Sequence, residues 1–416
     1  MRLWDYLKMN MTPFKDRIAF RNLGLTYAEI LSFDCDEILL RKIRLCGGKT
    51  REMQALNILI AIAKGEVVVP VSKEYGARNY NYIKEMVENN EEDISDLSFI
   101  MFTSGTTGYP KGVMLTDENI ISNLEYIKTY FDVSKCMNIC IARPLVHIAV
   151  LTGELLYALC NGLTIHFYEE PFMPKRLLSY LENNRIDIFG ATPTIYHALA
   201  KSISNIPSLK VGVISGEVLS ERNAKFISSK FKNTNFYNVY GLTEHSPRVS
   251  ALLPHEFVKK AGSVGRSIGN VRVKIDSGEL LVKSDSVMKG YYKDQKQTNQ
   301  KIKNGWLHTG DIASMTKDGY LYVHGRMDNM IIKAGINIYP EEIEVAVNEL
   351  EEISDSVVFK VINDDKTNIY LNYIGDITED DLRKKLVSIL NPNIIPNKIQ
   401  KVETIAKTAS GKKVRR

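Results

Sequence analysis

Residues 98–116 constrain the fold more than any other part of the sequence. The apolar run at 99–102 predicts a buried β-strand, which leads into a loop of glycine and hydroxyl residues followed by Lys111. Glycine lets the backbone approach a ligand, hydroxyl and amide groups donate hydrogen bonds, and the lysine adds a cation. We interpret the loop as a polyphosphate site, with an ordinary Gly/Ser turn as the alternative. It is not a Walker A loop, because Pro110 precedes the lysine and Gly112 follows it.

The apolar spacing beyond residue 117 alternates between helix and strand. The predicted elements are helices near 120–131, 174–181, 192–200 and 220–231, and strands near 186–189, 210–214 and 236–240. This alternation predicts a mostly parallel sheet covered by helices on both faces. Short strands punctuated by glycine at 262–327 predict an antiparallel β subdomain, and the remainder predicts a small α+β unit. The predicted fold is therefore α/β, with a large N-terminal domain at 1–327 and a small C-terminal domain at 328–416.

Composition narrows the classes of protein that this sequence can encode. The net charge is only +5, and no basic stripe with interleaved aromatic residues predicts a nucleic-acid partner. No signal-peptide pattern or long uncharged apolar run is present, so we expect a cytoplasmic protein without a membrane span. The five cysteines contain no C-x-x-C pair, which favours reduced core residues over a zinc site. For the last two arginines of the basic terminus, Arg415 and Arg416, a solvated tail and an anion site remain alternative interpretations.

Five further segments follow the loop in order: Pro144-Leu-Val-His147, Tyr240-Gly-Leu-Thr-Glu244, Gly305-Trp-Leu-His-Thr-Gly-Asp311, Gly325-Arg-Met-Asp328 and Lys407-Thr-Ala-Ser-Gly-Lys412. With the loop they resemble the motifs of the adenylate-forming superfamily, which includes acyl- and aryl-CoA synthetases, peptide-synthetase adenylation domains and luciferases. A single short motif is weak evidence, whereas six in order extend from residue 98 to the C-terminus. The resemblance implies that a carboxylic acid and ATP form an acyl-adenylate and pyrophosphate with Mg²⁺. A thiol of CoA, or of the phosphopantetheine on a carrier protein, then accepts the acyl group.

The resemblance also implies roles for residues of the nucleotide site. The β- and γ-phosphates would be held by Thr103, Ser104, Gly105, Thr106, Thr107, Gly108 and Lys111. Tyr240 would stack on adenine, and Gly216 and Glu217 would make backbone contacts along the adenine ring. Gly241 would also belong to the nucleotide site. Asn238 would bond the adenine amino group or serve a purely structural role. Asp311 would accept the ribose hydroxyls with help from Arg326, and a buried ion pair between these two residues is the alternative.

Four residues carry the catalytic roles that the resemblance implies. Thr243 would contact the α-phosphate and Glu244 would bind Mg²⁺, which prefers carboxylate and phosphate oxygens. Lys412 would stabilise the adenylation transition state, although Ala406 replaces the proline that usually stands near the start of its motif. His147 would gate the acid pocket and face the thiol route, and a buried core histidine is the alternative.

The C-terminal domain is implied to be mobile, and it would swing about Asp328 between adenylation and thioester-forming poses. A local cap at this residue is the alternative, and it is compatible with the hinge. The segment that follows would line a pantetheine tunnel, formed by Lys333, Ala334 and Gly335.

The acid pocket is predicted from the segment after Pro144 and from the motif neighbours. Its candidate residues are His147, Ile148, Leu151, Thr152, Ala191, Gly216, Gly241 and His245. The segment lacks the aspartate with which peptide-synthetase domains pair an α-ammonium group, so we expect a small aryl or medium acyl acid. Glu154 is the nearby carboxylate, which would bind a polar group of the acid or face solvent.

The resemblance leaves the biological role open. The short N-terminal part is similar to compact ligases that load carrier proteins in siderophore or secondary metabolite biosynthesis. The alternatives to an acid–thiol ligase are a luciferase-like adenylating oxygenase and a non-catalytic AMP-binding scaffold. The intact charged residues of the motifs argue against the scaffold.

Overall fold

The computed structural model describes residues 1–33, 41–72, 75–88, 90, 92–103, 109–202, 208–333, 336–363, 366–406 and 413–415. Within these residues, the largest element is a nine-stranded sheet in which the six strands from Ile18–Phe20 to Asn235–Gly241 run parallel. Its strand order is Arg266–Ser267, Arg248–Leu252, Asn235–Gly241, Val211–Ile214, Ile188–Ala191, Asn138–Ile141, Thr164–Phe167, Ile18–Phe20 and Leu25–Thr26. The predicted parallel sheet is confirmed.

Two smaller sheets complete the N-terminal part of the described chain. The first has the order Gly290–Tyr291, Lys111–Thr116, Leu97–Thr103, Val67–Pro70 and Ile43–Cys46. Its antiparallel pair Leu97–Thr103 and Lys111–Thr116 flanks the predicted phosphate loop on both sides. The second has the order Arg272–Asp276, Glu279–Lys283, Trp306–Met315 and Ile302–Lys303, with Leu321–Arg326 also paired to Trp306–Met315. All of its pairings are antiparallel, as the glycine-punctuated pattern predicts.

Helices cover the sheets, and several of them begin at a side-chain cap or at a proline. The α-helices are Leu3–Met11, Tyr27–Leu31, Arg51–Ala63, Gly76–Glu88, Asp117–Lys128, Ile148–Val150, Tyr157–Cys160, Pro174–Asn183, Pro193–Ser202, Glu221–Lys230, Gln295–Lys301, Pro340–Asn348 and Glu379–Ile389. Short 3₁₀ turns lie at Thr12–Phe14, Thr243–His245, Met327–Asn329 and Pro392–Ile394. Thr116 and Asn119 form a capping box, and Pro174 occupies a first turn, where its missing N–H costs nothing.

An aromatic cluster closes one face of the parallel sheet against three helices. The rings of Phe231 and Phe236 both meet Tyr196 edge to face, with centroids 5.8 and 5.2 Å from its own. Such pairs add stability beyond the apolar area that they bury. This face of the sheet is therefore filled by an apolar cluster.

The C-terminal region is an α+β unit with its own apolar core. A hairpin of Ile353–Asn363 and Lys366–Gly375, with the parallel strand Lys398–Lys401, packs against Pro340–Asn348 and Glu379–Ile389. A second hairpin, Ile331–Lys333 with Ile336–Ile338, leads into this unit. The α/β fold with a C-terminal α+β region is therefore confirmed.

The basic tail does not follow either sequence interpretation. Arg415 Nη2 lies 2.9 Å from Glu344 Oε2 and 3.1 Å from Glu341 Oε1, and Lys413 Nζ lies 2.8 Å from Asp355 Oδ1. Both cations are thus held by carboxylates of the C-terminal unit instead of solvent or a bound anion. Arg416 lies outside the described residues.

Two findings concern cysteines and membranes. The described cysteines, Cys46, Cys136, Cys140 and Cys160, are unpaired and buried, and burial raises the pKa of the Cys136 thiol to about 11. The predicted reduced core cysteines are confirmed for these residues, and Cys35 lies outside the described chain. Among the described helices, none combines the length and apolar character that crossing a bilayer requires.

Candidate nucleotide and acid site

The predicted site residues gather at one edge of the large sheet. Ile188–Ala191, Val211–Ile214 and Asn235–Gly241 are parallel neighbours, so their carboxyl ends lie side by side. Open α/β sheets bind ligands at this edge, because the strand ends and the loops after them leave a crevice. Thr192, Ser215 and the 3₁₀ turn Thr243–His245 follow these strands.

A carboxylate, a phenol and a guanidinium converge beside this edge. Asp311 is only 7% exposed, and its Oδ1 accepts a hydrogen bond of 3.1 Å from Arg326 Nη1. Its Oδ2 accepts the hydroxyl of Tyr240. Burial, with the charge of Asp311, raises the pKa of Tyr240 well above its usual value, so the phenol remains a donor. Each carboxylate oxygen keeps a second lone pair, which can accept one of two vicinal hydroxyls.

The backbone beside Asp311 is held in a special conformation. Gly310 has φ +74°, and a Cβ added there would stand 3.1 Å from Arg326 Nη2. Its N–H donates to Glu279 Oε1 over 2.8 Å, and Lys301 Nζ donates to the carbonyl of Thr309 over 2.9 Å. Burial lowers the pKa of Lys301. The turn that presents Asp311 is therefore fixed by a carboxylate and an ammonium group on neighbouring elements.

The residues predicted to hold the phosphates and Mg²⁺ lie where two of the sheets come into contact. Thr103 and Lys111 face each other on paired strands, and Lys111 Nζ lies 5.8 Å from the ring centroid of Tyr291. The Tyr291 hydroxyl donates to Glu244 Oε1 over 2.7 Å, and the Glu244 carbonyl accepts from Met288 N over 2.9 Å. Ser104, Gly105, Thr106, Thr107 and Gly108 lie outside the described residues.

Glu244 fits the donor chemistry of a magnesium site. Within the described chain, its Oε1 accepts the Tyr291 bond and no hydrogen bond reaches its Oε2. Mg²⁺ binds proteins through one or two carboxylates and takes its other ligands from water and phosphate oxygens. Thr243, one residue earlier, is half-buried at the same strand end.

The residues predicted to lie beside adenine differ in exposure and in hydrogen bonding. Gly216 has φ +92°, a backbone conformation that favours glycine, and it is exposed at the rim. The carboxylate of Glu217 accepts from Thr194 Oγ1 at 2.6 Å, so it is bound to the start of the preceding helix Pro193–Ser202. Asn238 is 2% exposed and donates to the Ser263 carbonyl over 2.8 Å, which favours its structural alternative.

The predicted acid-pocket residues differ in accessibility. Gly241 is exposed and His147 is half-buried at the start of the short helix Ile148–Val150. Four others are almost completely buried: Ile148, Leu151, Thr152 and Ala191. Leu151 and Thr152 belong to a π-helical turn, Leu151–Leu156, and such turns are frequent at functional sites.

Glu154 corrects one of the sequence alternatives. Its side chain is 3% exposed and its Oε1 accepts from Arg143 Nη2, so the solvent-facing interpretation is wrong. Arg143 Nη1 donates to Ser215 Oγ over 2.9 Å, which brings this ion pair to the carboxyl edge of the sheet. The pair was not predicted, because nothing in the sequence indicates that residues 143 and 154 meet.

A cavity of about 270 Å³ opens near the same edge. Its apolar lining includes Ala142, Tyr168, Leu177, Phe189 and Ile195, and its charged lining includes Arg51, Arg143, Glu169 and Glu170. None of the eight predicted acid-pocket residues borders this cavity. Arg143 lines this cavity and is also the cation of the buried ion pair with Glu154. The cavity therefore adjoins the predicted acid pocket without being the same space.

The described residues include only part of the predicted hinge, the predicted tunnel and the segment of the predicted catalytic lysine. Asp328 lies in the 3₁₀ turn Met327–Asn329, with its Oδ2 3.5 Å from Arg326 Nη2. Lys333 Nζ donates to Asn397 Oδ1 over 3.0 Å. Ala334, Gly335 and Lys412 lie outside the described residues. Arg326 therefore contacts both the predicted ribose carboxylate and the predicted hinge.

His245 is predicted to make stability depend on pH. It is fully buried with Nε2 2.7 Å from Ser284 Oγ, and burial lowers its pKa to about 3. An unfolded imidazole binds a proton below about pH 6.5, so acidification favours unfolding between that value and the folded pKa. We expect this residue to lower the free energy of unfolding by about 1.4 kcal/mol for each pH unit of acidification.

Denaturant titrations at several pH values measure that slope. His245→Gln should flatten it, whereas the control His255→Gln, at a side chain that is 72% exposed, should not. An unchanged slope in His245→Gln would contradict the prediction.

The sequence matches the family described as AMP-binding enzyme over residues 45–292, more than half of the chain. The protein therefore belongs to that family, and its predicted superfamily is confirmed.

Particular relatives are ligases that use CoA. The chain is 31% identical to a long-chain-fatty-acid–CoA ligase of Haemophilus influenzae over 345 residues, which cover 77% of this chain and 61% of that protein. It is also 31% identical to a 2-succinylbenzoate–CoA ligase of Listeria monocytogenes over 331 residues, or 77% and 69% of the two chains.

Solved structures share the fold over nearly the whole chain. O-succinylbenzoate CoA synthetase of Bacillus subtilis, in complex with ATP and magnesium ion, superimposes with a TM-score of 0.84 at 21% identity. That match covers 98% of this chain and 97% of the other. ATP-bound MatB of Rhodopseudomonas palustris also gives 0.84, at 20% identity over 99% and 97% of the two chains.

Proposed function

We propose that this protein is an AMP-forming acid–thiol ligase that activates a small aryl or medium acyl carboxylic acid with ATP. The observation that carries the proposal is the buried carboxylate of Asp311, bound by Tyr240 and Arg326 beside the strand that leads to Glu244. This arrangement suits a ribose diol at one end and a magnesium-bound phosphate chain at the other.

In the first step, a carboxylate oxygen of the acid attacks the α-phosphorus of ATP. The acyl O–P bond forms, the bond from the α-phosphorus to the bridging oxygen breaks, and pyrophosphate leaves. Thr243 and Lys412 would donate to the α-phosphate oxygens, while Thr103 and Lys111 would hold the leaving phosphates. Mg²⁺ bound through Glu244 would neutralise negative charge on the phosphates.

In the second step, a thiol sulfur attacks the acyl carbon, the thiol proton is lost, and AMP leaves as the thioester forms. His147, half-buried at the pocket, would face the entering thiol. The C-terminal unit at 328–416 would turn about Asp328 and present Lys333, Ala334 and Gly335 to the pantetheine arm.

The relatives named as CoA ligases support CoA as the thiol acceptor, with a carrier protein as the alternative. A carrier protein would favour a role in siderophore or secondary metabolite assembly. The buried free cysteines support the reducing, cytoplasmic setting that the composition predicts.

ATP–pyrophosphate exchange against aryl, hydroxyaryl and short- to medium-chain acids tests the activation step. We expect at least one acid to drive exchange, and CoA or carrier protein then to convert that acid to a thioester detectable by mass spectrometry. ATP binding by calorimetry without exchange for any acid would contradict the ligase and favour a scaffold. Oxygen uptake or light after adenylation would instead favour the oxygenase alternative.

A further inference from the structure

A buried charged cluster adjoins the predicted acid pocket, and neither the motifs nor the proposed steps use it. It consists of Arg143, Glu154 and Arg248, the last of which is 3% exposed on the strand Arg248–Leu252. A Cβ added at Gly153 would lie 2.8 Å from Arg248 Nη2, and one added at Gly190 would lie 2.4 Å from Glu154 Oε1. Glycine at these two positions therefore lets the charged groups lie against the backbone.

The cluster is next to residues already assigned to the acid pocket. Gly190 precedes Ala191, and Arg143 is bound to Ser215, which precedes Gly216. Gly153 follows Thr152 in the π-helical turn. The pocket predicted from sequence motifs thus has a charged wall that those motifs do not specify.

This charged wall contains more positive than negative groups. Glu154 is paired with Arg143, and no carboxylate of the described residues lies within 4 Å of Arg248. The neighbour that bonds the Arg248 side chain is the neutral Tyr130, and burial lowers the pKa of this guanidinium. Glu154 also attracts Arg248 from a longer distance, so one anion serves two guanidinium groups. The cluster therefore carries a net positive charge, which is unfavourable in a buried place unless a further anion compensates it.

Three buried polar atoms in the cluster or next to it have no hydrogen-bond partner among the described residues. Glu154 Oε2, Thr152 Oγ1 and Arg143 Nε are buried and make no hydrogen bond. Glu154 and Thr152 are 3% and 0% exposed. Buried polar groups in proteins are almost always hydrogen-bonded. Thr152 Oγ1 and Arg143 Nε are donors, so an anionic acceptor on a ligand would satisfy these two atoms, although it would not satisfy Glu154 Oε2.

We propose that the acid activated by this protein carries a second carboxylate, which binds Arg248 beside the Arg143–Glu154 pair. The inference rests on the proposed function, because the first carboxylate must lie at the α-phosphate. Arg248 supplies a cation that has no carboxylate in close contact among the described residues, and the Thr152 hydroxyl supplies a further donor. Glu154 neutralises Arg143, so the wall matches one additional negative charge.

Exchange assays with matched acids test the proposal. Adipate is compared with hexanoate, and phthalate with benzoate, so that each pair differs in the second carboxylate. We expect kcat/KM for at least one dicarboxylate to exceed that of its matched acid by about 100-fold, the scale of a buried charge pair. Arg248→Met should remove this preference and Arg248→Lys should keep part of it. The control Arg272→Met, on the exposed edge strand Arg272–Asp276, should leave it unchanged.

Glu154→Gln provides a test of opposite sign. It leaves both arginines without an anion, so the preference for the dicarboxylate should be retained or increase, provided that circular dichroism shows a folded protein. Exchange with monocarboxylates alone, or an equal loss with both acids in Arg248→Met, would overturn the inference while leaving the ligase proposal intact.

If no acid drives exchange, binding of the dicarboxylate is tested by calorimetry with ATP-loaded protein. Adipate or phthalate should bind the native protein about 100-fold more tightly than Arg248→Met. Equal affinity, or no binding of either dicarboxylate, would overturn the inference independently of catalysis.

Discussion

Lys412→Ala is expected to lower the rate of ATP–pyrophosphate exchange by about 100- to 1,000-fold, the effect of removing one donor aimed at developing charge. The residues after it are anchored, since Lys413 Nζ donates to the Ser356 carbonyl over 2.6 Å and Val414 N donates to Ala406 O over 2.9 Å.

The same substitution should affect the two half-reactions differently. The C-terminal unit is proposed to turn to a second pose after the adenylate forms, which would take Lys412 away from the α-phosphate. Transfer from a supplied acyl-adenylate to the thiol should therefore keep most of its rate. Lys401→Ala, at an exposed position of the strand Lys398–Lys401, is the matched control and should exchange normally. An equal loss in both half-reactions would indicate a structural role for Lys412 instead.

Asp311→Asn is expected to raise the KM for ATP by about 100-fold, because two charge-assisted hydrogen bonds to the ribose become neutral ones. The amide has nearly the same shape but offers one acceptor oxygen, and its NH₂ group would oppose the Arg326 guanidinium that now donates to Oδ1. Local packing around Tyr240 should survive, so the folded protein should melt within a few degrees of the native one.

Deoxynucleotides make this prediction specific to the ribose. The native protein should discriminate strongly between ATP and its 2′- or 3′-deoxy analogues, and Asp311→Asn should lose most of that discrimination. Asp276→Asn, an exposed carboxylate in the same small sheet, is the control. Unchanged discrimination in Asp311→Asn would place the ribose elsewhere.

Local patterns in the sequence predict the elements of this fold closely. The expected helix near 220–231 is Glu221–Lys230, and the expected strand at 210–214 is Val211–Ile214. Their boundaries follow from features within a few residues, such as the Ser220 cap, whose hydroxyl accepts from Asn223 N. Apolar periodicity and capping act over one or two turns, so a single sequence contains enough information to assign them.

The charged contacts of the site required the tertiary structure. Tyr291 reaches Glu244 across 47 positions, and Arg248 lies near the pair formed by Arg143 and Glu154. The sequence does not predict these contacts, because they depend on the order of the strands and on the π-helical turn. The same folding buries His245 and directs Asn238 to the Ser263 carbonyl, roles that their motif positions do not reveal.

By itself, the sequence determined the superfamily, the α/β architecture and the positions of the motifs, because these depend on residue order and short-range periodicity. Only the tertiary structure decided which charges are paired, which buried charges share one counter-ion, and therefore what kind of acid the pocket is proposed to accept. Burial and pairing depend on residues that are distant in the chain, and their energies follow from the environment that those residues create together.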